Sequence, residues 1–124
     1  MTINEINAGT LAYLGDSVYE LEIRSYLVSK YCLKPNELQN EAVKYVSAEA
    51  QSLLLDKLMD KNILTEEELY TINRARNYKV NSKPKHVDIK TYKKATALEA
   101  LFGMLHINND NRRIKEILNI IVGE

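Results

Sequence analysis

Apolar residues recur at three- and four-residue steps through most of this chain, the period of helices with one face turned inward. Between Thr10 and Lys30, Leu11, Leu14, Val18, Leu21 and Val28 keep that step, which predicts a first helix with these five side chains toward a core. Lys34-Pro35-Asn36 interrupts the pattern. Asn36 with Gln39 three residues later reads as a capping box, in which two side chains satisfy free backbone N–H groups of a helix start, here a short helix toward Tyr45. Ser47 reads as the cap of a helix running to about Lys61, with Ala50, Leu54 and Leu58 on one face. Thr65 and Glu68 form a second box, opening a segment through Arg76. Residues 77 to 89 read as loop, because Asn81-Ser82-Lys83-Pro84 collects turn formers and Pro84 disfavours a helical Lys83. Helix resumes from Tyr92 to His106. After Asn108-Asn109-Asp110, the spacing of Ile114, Ile117, Leu118 and Ile121 predicts a last amphipathic helix ending near Gly123. No period-two alternation competes, so the expected fold is all-α, with six or seven helices in one domain over residues 1–124.

Composition narrows the chemistry. The four glycines, Gly9, Gly15, Gly103 and Gly123, are scattered, whereas the phosphate loops of nucleotide-binding domains need them clustered, so no nucleotide cofactor is expected. Cys32, His86 and His106 are too few for a four-ligand zinc site of Cys and His. Cys32 is expected to be a buried small hydrophobe, His86 a loop donor and His106 a core-flanking residue. No apolar run approaches the roughly 20 residues that span a bilayer, and Met1-Thr2-Ile3-Asn4-Glu5 lacks a secretory pattern; a cytoplasmic protein is the expectation.

The formal net charge is zero, yet its distribution is uneven. Residues 1–73 carry 6 bases and 12 acids, whereas residues 74–94 carry 8 bases against the single Asp88. Arg74, Arg76, Lys79, Lys83, Lys85, Lys90, Lys93 and Lys94 thus make a local positive field that the global balance conceals. A polyanion would satisfy it. So would solvent, or ion pairing with the acidic N-terminal half.

Two carboxylates stand where charge is otherwise avoided. Asp16 is the only charged residue between Glu5 and Glu20, and Glu99 the only one between Lys94 and Asp110, inside a helix apolar nearly all the way round. A buried carboxylate without a partner is destabilising by several kcal/mol, so each must find a cation, a donor or a proton. Gly15 adjoins Asp16 and Gly103 lies one turn after Glu99, although glycine inside a helix costs about 1 kcal/mol relative to Ala. Thr96, Ala97, Ala100 and Gly103 would let a second helix approach closely, the geometry that brings both acids onto one ion. Oxygen-only ligands favour magnesium or manganese over zinc. Alternatively, both acids accept hydrogen bonds from Tyr or Arg and merely fix helix register.

Leu11-Ala12-Tyr13-Leu14-Gly15-Asp16-Ser17 resembles the signature helix of ribonuclease III endonucleases. Further blocks, Lys34-Pro35-Asn36-Glu37-Leu38, Tyr45-Val46-Ser47-Ala48, Arg74-Ala75-Arg76-Asn77, Pro84-Lys85-His86-Val87-Asp88 and Thr91 through Leu101, resemble the Mini-ribonuclease III family, in order and over nearly the whole chain. The resemblance implies a ribonuclease III endonuclease-domain-like helical bundle that dimerises, binds double-stranded RNA, and cleaves phosphodiesters with Mg2+, Mn2+ being a substitute. It implies 5′-phosphate and 3′-hydroxyl ends, a short 3′ overhang, the 23S ribosomal RNA precursor as substrate, and no separate RNA-binding domain. Asp16 matches the signature catalytic Asp and Glu99 the metal-ligand Glu of the second motif; both are expected to be catalytic and metal ligands. Tyr13 falls where the signature has the Phe that enters the partner subunit, which makes it a dimer-interface residue. RNA contact is expected from Arg74, Arg76, Asn77, Lys79, Lys83, Lys85, Lys90, Tyr92 and Lys93, with Tyr78 adding a hydroxyl.

Where ordinary ribonuclease III carries further acids, this chain has Gly9, Ala12 and Thr96. The carboxylate cluster has thinned to two; Glu20, one turn after Asp16, either assists or is a solvated helix-face acid. That thinning keeps open a non-catalytic module that binds structured RNA or assists ribosome assembly. Small all-α size also keeps open a helix-turn-helix DNA regulator, although no recognition helix stands out.

Overall fold

The helix that the sequence makes apolar nearly all the way round is the one the others surround. A computed structural model of the chain describes residues 2–79 and 83–123. A 3₁₀ turn (Ile3–Glu5) leads into α1 (Ala8–Lys30), α2 (Pro35–Val46), α3 (Ala48–Asp60), α4 (Glu66–Arg76), α5 (Ile89–Ile107) and α6 (Asn111–Val122), with no strand among the described residues. Helices α1, α3, α4 and α6 all pack on α5, and the α1–α5 interface is the largest. From Leu98 to Leu105 every residue is fully buried except Glu99, which is partly so. Tyr19 of α1 meets Phe102 edge-to-face at 5.0 Å, and its hydroxyl donates to the Tyr45 carbonyl at 2.7 Å, tying α2 to this core.

The helix starts follow cap chemistry. Asn7 accepts from the Gly9 N–H at 2.7 Å, Ser47 from Ala50 at 3.2 Å, and Asp110 from Arg113 at 3.2 Å. The box at Thr65 and Glu68 forms in both directions. The expected box at Asn36 does not form: the cap of α2 sits two residues earlier, at Lys34, because Pro35 is suited to the first helical position and Glu37 accepts from the Lys34 N–H at 3.0 Å. Helix α5 begins three residues before the expected Tyr92, because the Asp88 carboxylate accepts from both the N–H and the hydroxyl of Thr91, each at 2.9 Å. Asn81 and Ser82 lie outside the described residues; Lys83 and Pro84 are non-helical.

Several inward-facing assignments shift. Leu11 and Val18 are buried and Leu14 partly so, but Leu21 and Val28 are exposed, and α1 buries Tyr19, Ile23 and Leu27 instead. On α3 the buried face is rotated by one residue, to Gln51, Ser52, Leu55 and Leu58. The five- and three-residue apolar sets chosen from sequence omit aliphatic residues of the true faces, Ile23, Leu27 and Leu55, as well as Tyr19, Gln51 and Ser52. Cys32 is exposed, since it falls in the α1–α2 connection rather than on a packed face. His106 is likewise exposed, at the last turn of α5.

Candidate active site

Two glycines set the distance between α1 and α5. A Cβ on Gly15 would overlap the Glu99 carbonyl, and one on Gly103 would overlap the Leu11 carbonyl, so the helices meet backbone against backbone. The energetic penalty of glycine in a helix interior is offset here by an approach that no other residue permits. Asp16, next to Gly15, and Glu99, one turn before Gly103, are thereby carried into contact.

The two carboxyls are coupled: protonated Glu99 donates to the Asp16 carboxylate. Sequence predicts burial for both; only Glu99 is largely enclosed, while Asp16 is exposed because α1 presents it to an open cleft beside α5. Burial, then the Asp16 charge and the shared hydrogen bond, push the Glu99 carboxyl up to about 8, against a smaller lowering by a hydrogen bond from Gln51. Glu20, half-buried and 3.6 Å from Arg24, adds a weak repulsion. No Arg or Lys among the described residues pairs with Asp16 or Glu99. The Tyr donor considered from sequence is not there either, for Tyr19 bonds to Tyr45; burial, with the Glu99 charge second, holds its hydroxyl above the ordinary phenol range.

The cleft has a volume of about 560 Å³. Gly9, Ala12 and Thr96 line it together with Asp16 and Glu99, so the three positions lacking an acid border the same space as the two that keep one. At Gly9 the Tyr78 ring fills the room of a side chain, 2.8 Å from where a Cβ would stand. Thr96 donates its hydroxyl to the Tyr92 carbonyl at 2.9 Å. No group of three or more His, Cys, Asp or Glu that could hold a metal occurs among the described residues, which leaves a two-carboxylate site. Two touching oxygen acids without a protein counter-charge suit a hard dication whose other ligands are water and phosphate.

Lys79, Tyr92 and Lys93 also line this cleft. Lys93 is shared with a second cleft of about 550 Å³, bounded by Asn73, Arg76, Asn77, Lys90 and Lys94. Among the described residues, Arg76, Lys79, Lys83, Lys85, Lys90 and Lys93 have no ion pair, and all but the half-buried Lys93 are exposed; Lys94 pairs with Asp56 at 3.1 Å. Arg74 behaves differently. It is half-buried, donates to the Ile6 carbonyl and lies 5.8 Å from the Tyr70 ring, pinning the segment before α1 to α4. Tyr13 is 81% exposed at the edge of the acid cleft. Sequence reasoning missed Gln51 and the Tyr78–Gly9 contact. The signal for Gln51 was its phase with Leu55 and Leu58, four and seven residues on; nothing local announces the second.

This helical arrangement, with one acid on each of two interlocked helices, defines a ribonuclease III endonuclease domain, and the model of the Ribonuclease III domain matches residues 9–110. The chain is 40% identical over 120 residues to Mini-ribonuclease 3 of Staphylococcus aureus, covering 97% of this chain and 90% of that protein. It is 43% identical over 115 residues to Mini-ribonuclease 3 of Enterococcus faecalis, covering 93% and 87%. A crystal structure of a protein from Fusobacterium nucleatum superposes with a TM-score of 0.84 at 34% identity, covering 98% of this chain and 95% of that one. The chain belongs to the Mini-ribonuclease 3 family of ribonuclease III domain proteins and is an endoribonuclease.

Proposed function

We propose that this chain is a homodimeric, Mg2+-dependent endonuclease of double-stranded RNA that matures the 23S ribosomal RNA precursor in the cytoplasm, with Mn2+ able to replace Mg2+. The observation that carries this reading is the contact of Asp16 and Glu99 in a cleft bordered by unpaired cations.

Asp16 and Glu99 would hold the ion. When bound, it supplies an acidified water for in-line attack and positive charge against the charge building on the phosphodiester. Lys79 and Lys93, lining the acid cleft, attract the backbone to the two carboxylates. Arg76, Asn77 and Lys90 extend that attraction along the adjoining cleft, while Lys83 and Lys85 lie exposed on the connection before α5. Tyr92 lines the acid cleft and offers a hydroxyl. Such a surface suits A-form RNA, which is read by shape through phosphates and 2′-hydroxyls rather than by base edges. Arg74, engaged with Ile6, is left out of this contact. Dimerisation is supported by the exposed Tyr13, Leu21 and Val28, three large apolar side chains that α1 turns to solvent.

Incubating the protein with a perfect RNA duplex, first with Mg2+ and then with EDTA, tests the reading. Cleavage only with the metal is expected; a duplex left whole in both would make the chain a binding module. Release of mature 23S ends from a precursor transcript tests the substrate, and light scattering the dimer.

A further inference from the structure

A metal-ligand carboxylate needs more than a metal: its orientation must be held from behind. Glu99 is flanked on one side by α1, which brings Asp16, and on another by α3, which also packs on α5 and brings Gln51. Gln51 is only 3% exposed and does not line the acid cleft, so it approaches Glu99 from the protein interior while Asp16 approaches from the open side. The two side chains hydrogen-bond, and the donor is necessarily the amide N–H when Glu99 is ionised.

We propose that Gln51 is a positioning residue for Glu99: its enclosed amide anchors the carboxylate from the α3 side and leaves the cleft-facing side for the metal that Glu99 shares with Asp16. The chemistry of the amide fits the task. A Lys or Arg at this position would pair with Glu99 and cancel the charge that attracts the ion. A Glu would add a third repelling acid. A Leu would leave a carboxylate oxygen facing hydrocarbon. A neutral donor orients without neutralising.

This inference rests on the reading of Glu99 as a metal ligand, and the test separates the two. Mn2+ binding to the RNA-free protein is measured by electron paramagnetic resonance for wild type, E99Q and Q51M, whose side chain keeps the length of Gln without its donor. Binding of an RNA duplex in EDTA is measured alongside. Q51M is expected to bind Mn2+ about 10- to 100-fold more weakly than wild type, the range for partners of metal ligands, with duplex binding unchanged. Wild-type Mn2+ affinity in Q51M overturns the inference if E99Q has lost the ion. Wild-type affinity in E99Q overturns the metal-site reading itself. If Q51M does not fold, Q51N withdraws the amide by one methylene and faces the same criterion. Q51H, which restores an N–H at nearly the same reach, is expected to recover most of the affinity; equal loss in Q51H and Q51M means the donated bond is not what matters.

Discussion

Asp16 and Glu99 sit on the pair of helices sharing the largest interface, whereas Arg76, Lys79, Lys83, Lys85 and Lys90 sit on a helix end, an irregular connection and a first helical turn. The acids depend on position. Their contact is set by backbone packing at Gly15 and Gly103, where an added carbon would collide with the facing helix. The bases depend on number, since each charge that reaches a phosphate contributes a similar increment to attraction. The contrast teaches that one region is intolerant to single changes and the other is additive.

The strongest way to break the contrast is at the acids. D16N and E99Q are expected to lower cleavage by more than about 100-fold, because even indirect partners of metal ligands are worth 10- to 100-fold. Both variants should still bind a duplex in EDTA; retained cleavage in gel assays would remove the acids from the mechanism. Next comes the glycine contact. Gly15→Ala or Gly103→Ala would ordinarily stabilise a helix, but here is expected to destabilise the fold by at least about 2 kcal/mol in urea melts and to abolish cleavage, because the added carbon meets backbone. An unaffected melt would mean the helices can part without harm.

A third expectation follows from the Glu99 carboxyl lying at about 8, well above its ordinary value of 4.5. Its folded-state pKa is raised, so the stability it confers is fully present below about 4.5 and is lost as pH rises toward 8. Metal-free wild type should therefore lose stability relative to E99Q across that window. Cleavage at limiting Mg2+ should rise over the same range as the carboxylate becomes free to ligate. Parallel melting curves for the two proteins would contradict the first, and a flat rate profile the second.

The smallest effects belong to the bases. Arg76→Ala, inside the second cleft, is expected to weaken duplex binding and flatten its salt dependence by roughly one unit of slope per lost phosphate contact. Lys85→Ala, outside both clefts, should do so less. Equal losses, or an unchanged slope for Arg76→Ala, would show that the cleft does not order the bases along the RNA.

Much of this was legible beforehand because the informative patterns are local. The Thr65–Glu68 box, the apolar α5 and the Ile114–Ile121 spacing each declare themselves within a few residues, and the isolation of Asp16 and Glu99 among uncharged neighbours marked both acids. What was not legible depends on neighbours distant in sequence. Exposure of Leu21 and Val28 follows from where α2 and α5 cover α1, and the exposure of Asp16 from where they do not. Arg74 looks like its basic neighbours until Ile6, 68 positions away, supplies an acceptor. The burial of Gln51 depends on how α3 rotates against α5.

The backbone interlock has one more consequence, for any survey of random variants. Gly15 and Gly103 offer no reactive atom, yet a mutational scan scored on survival should mark them as forbidding as the acids they bring together. The lysines proposed to draw in the polyanion would score as individually dispensable. A tolerance map of this small nuclease would thus trace its α1–α5 backbone contact more sharply than its proposed binding surface.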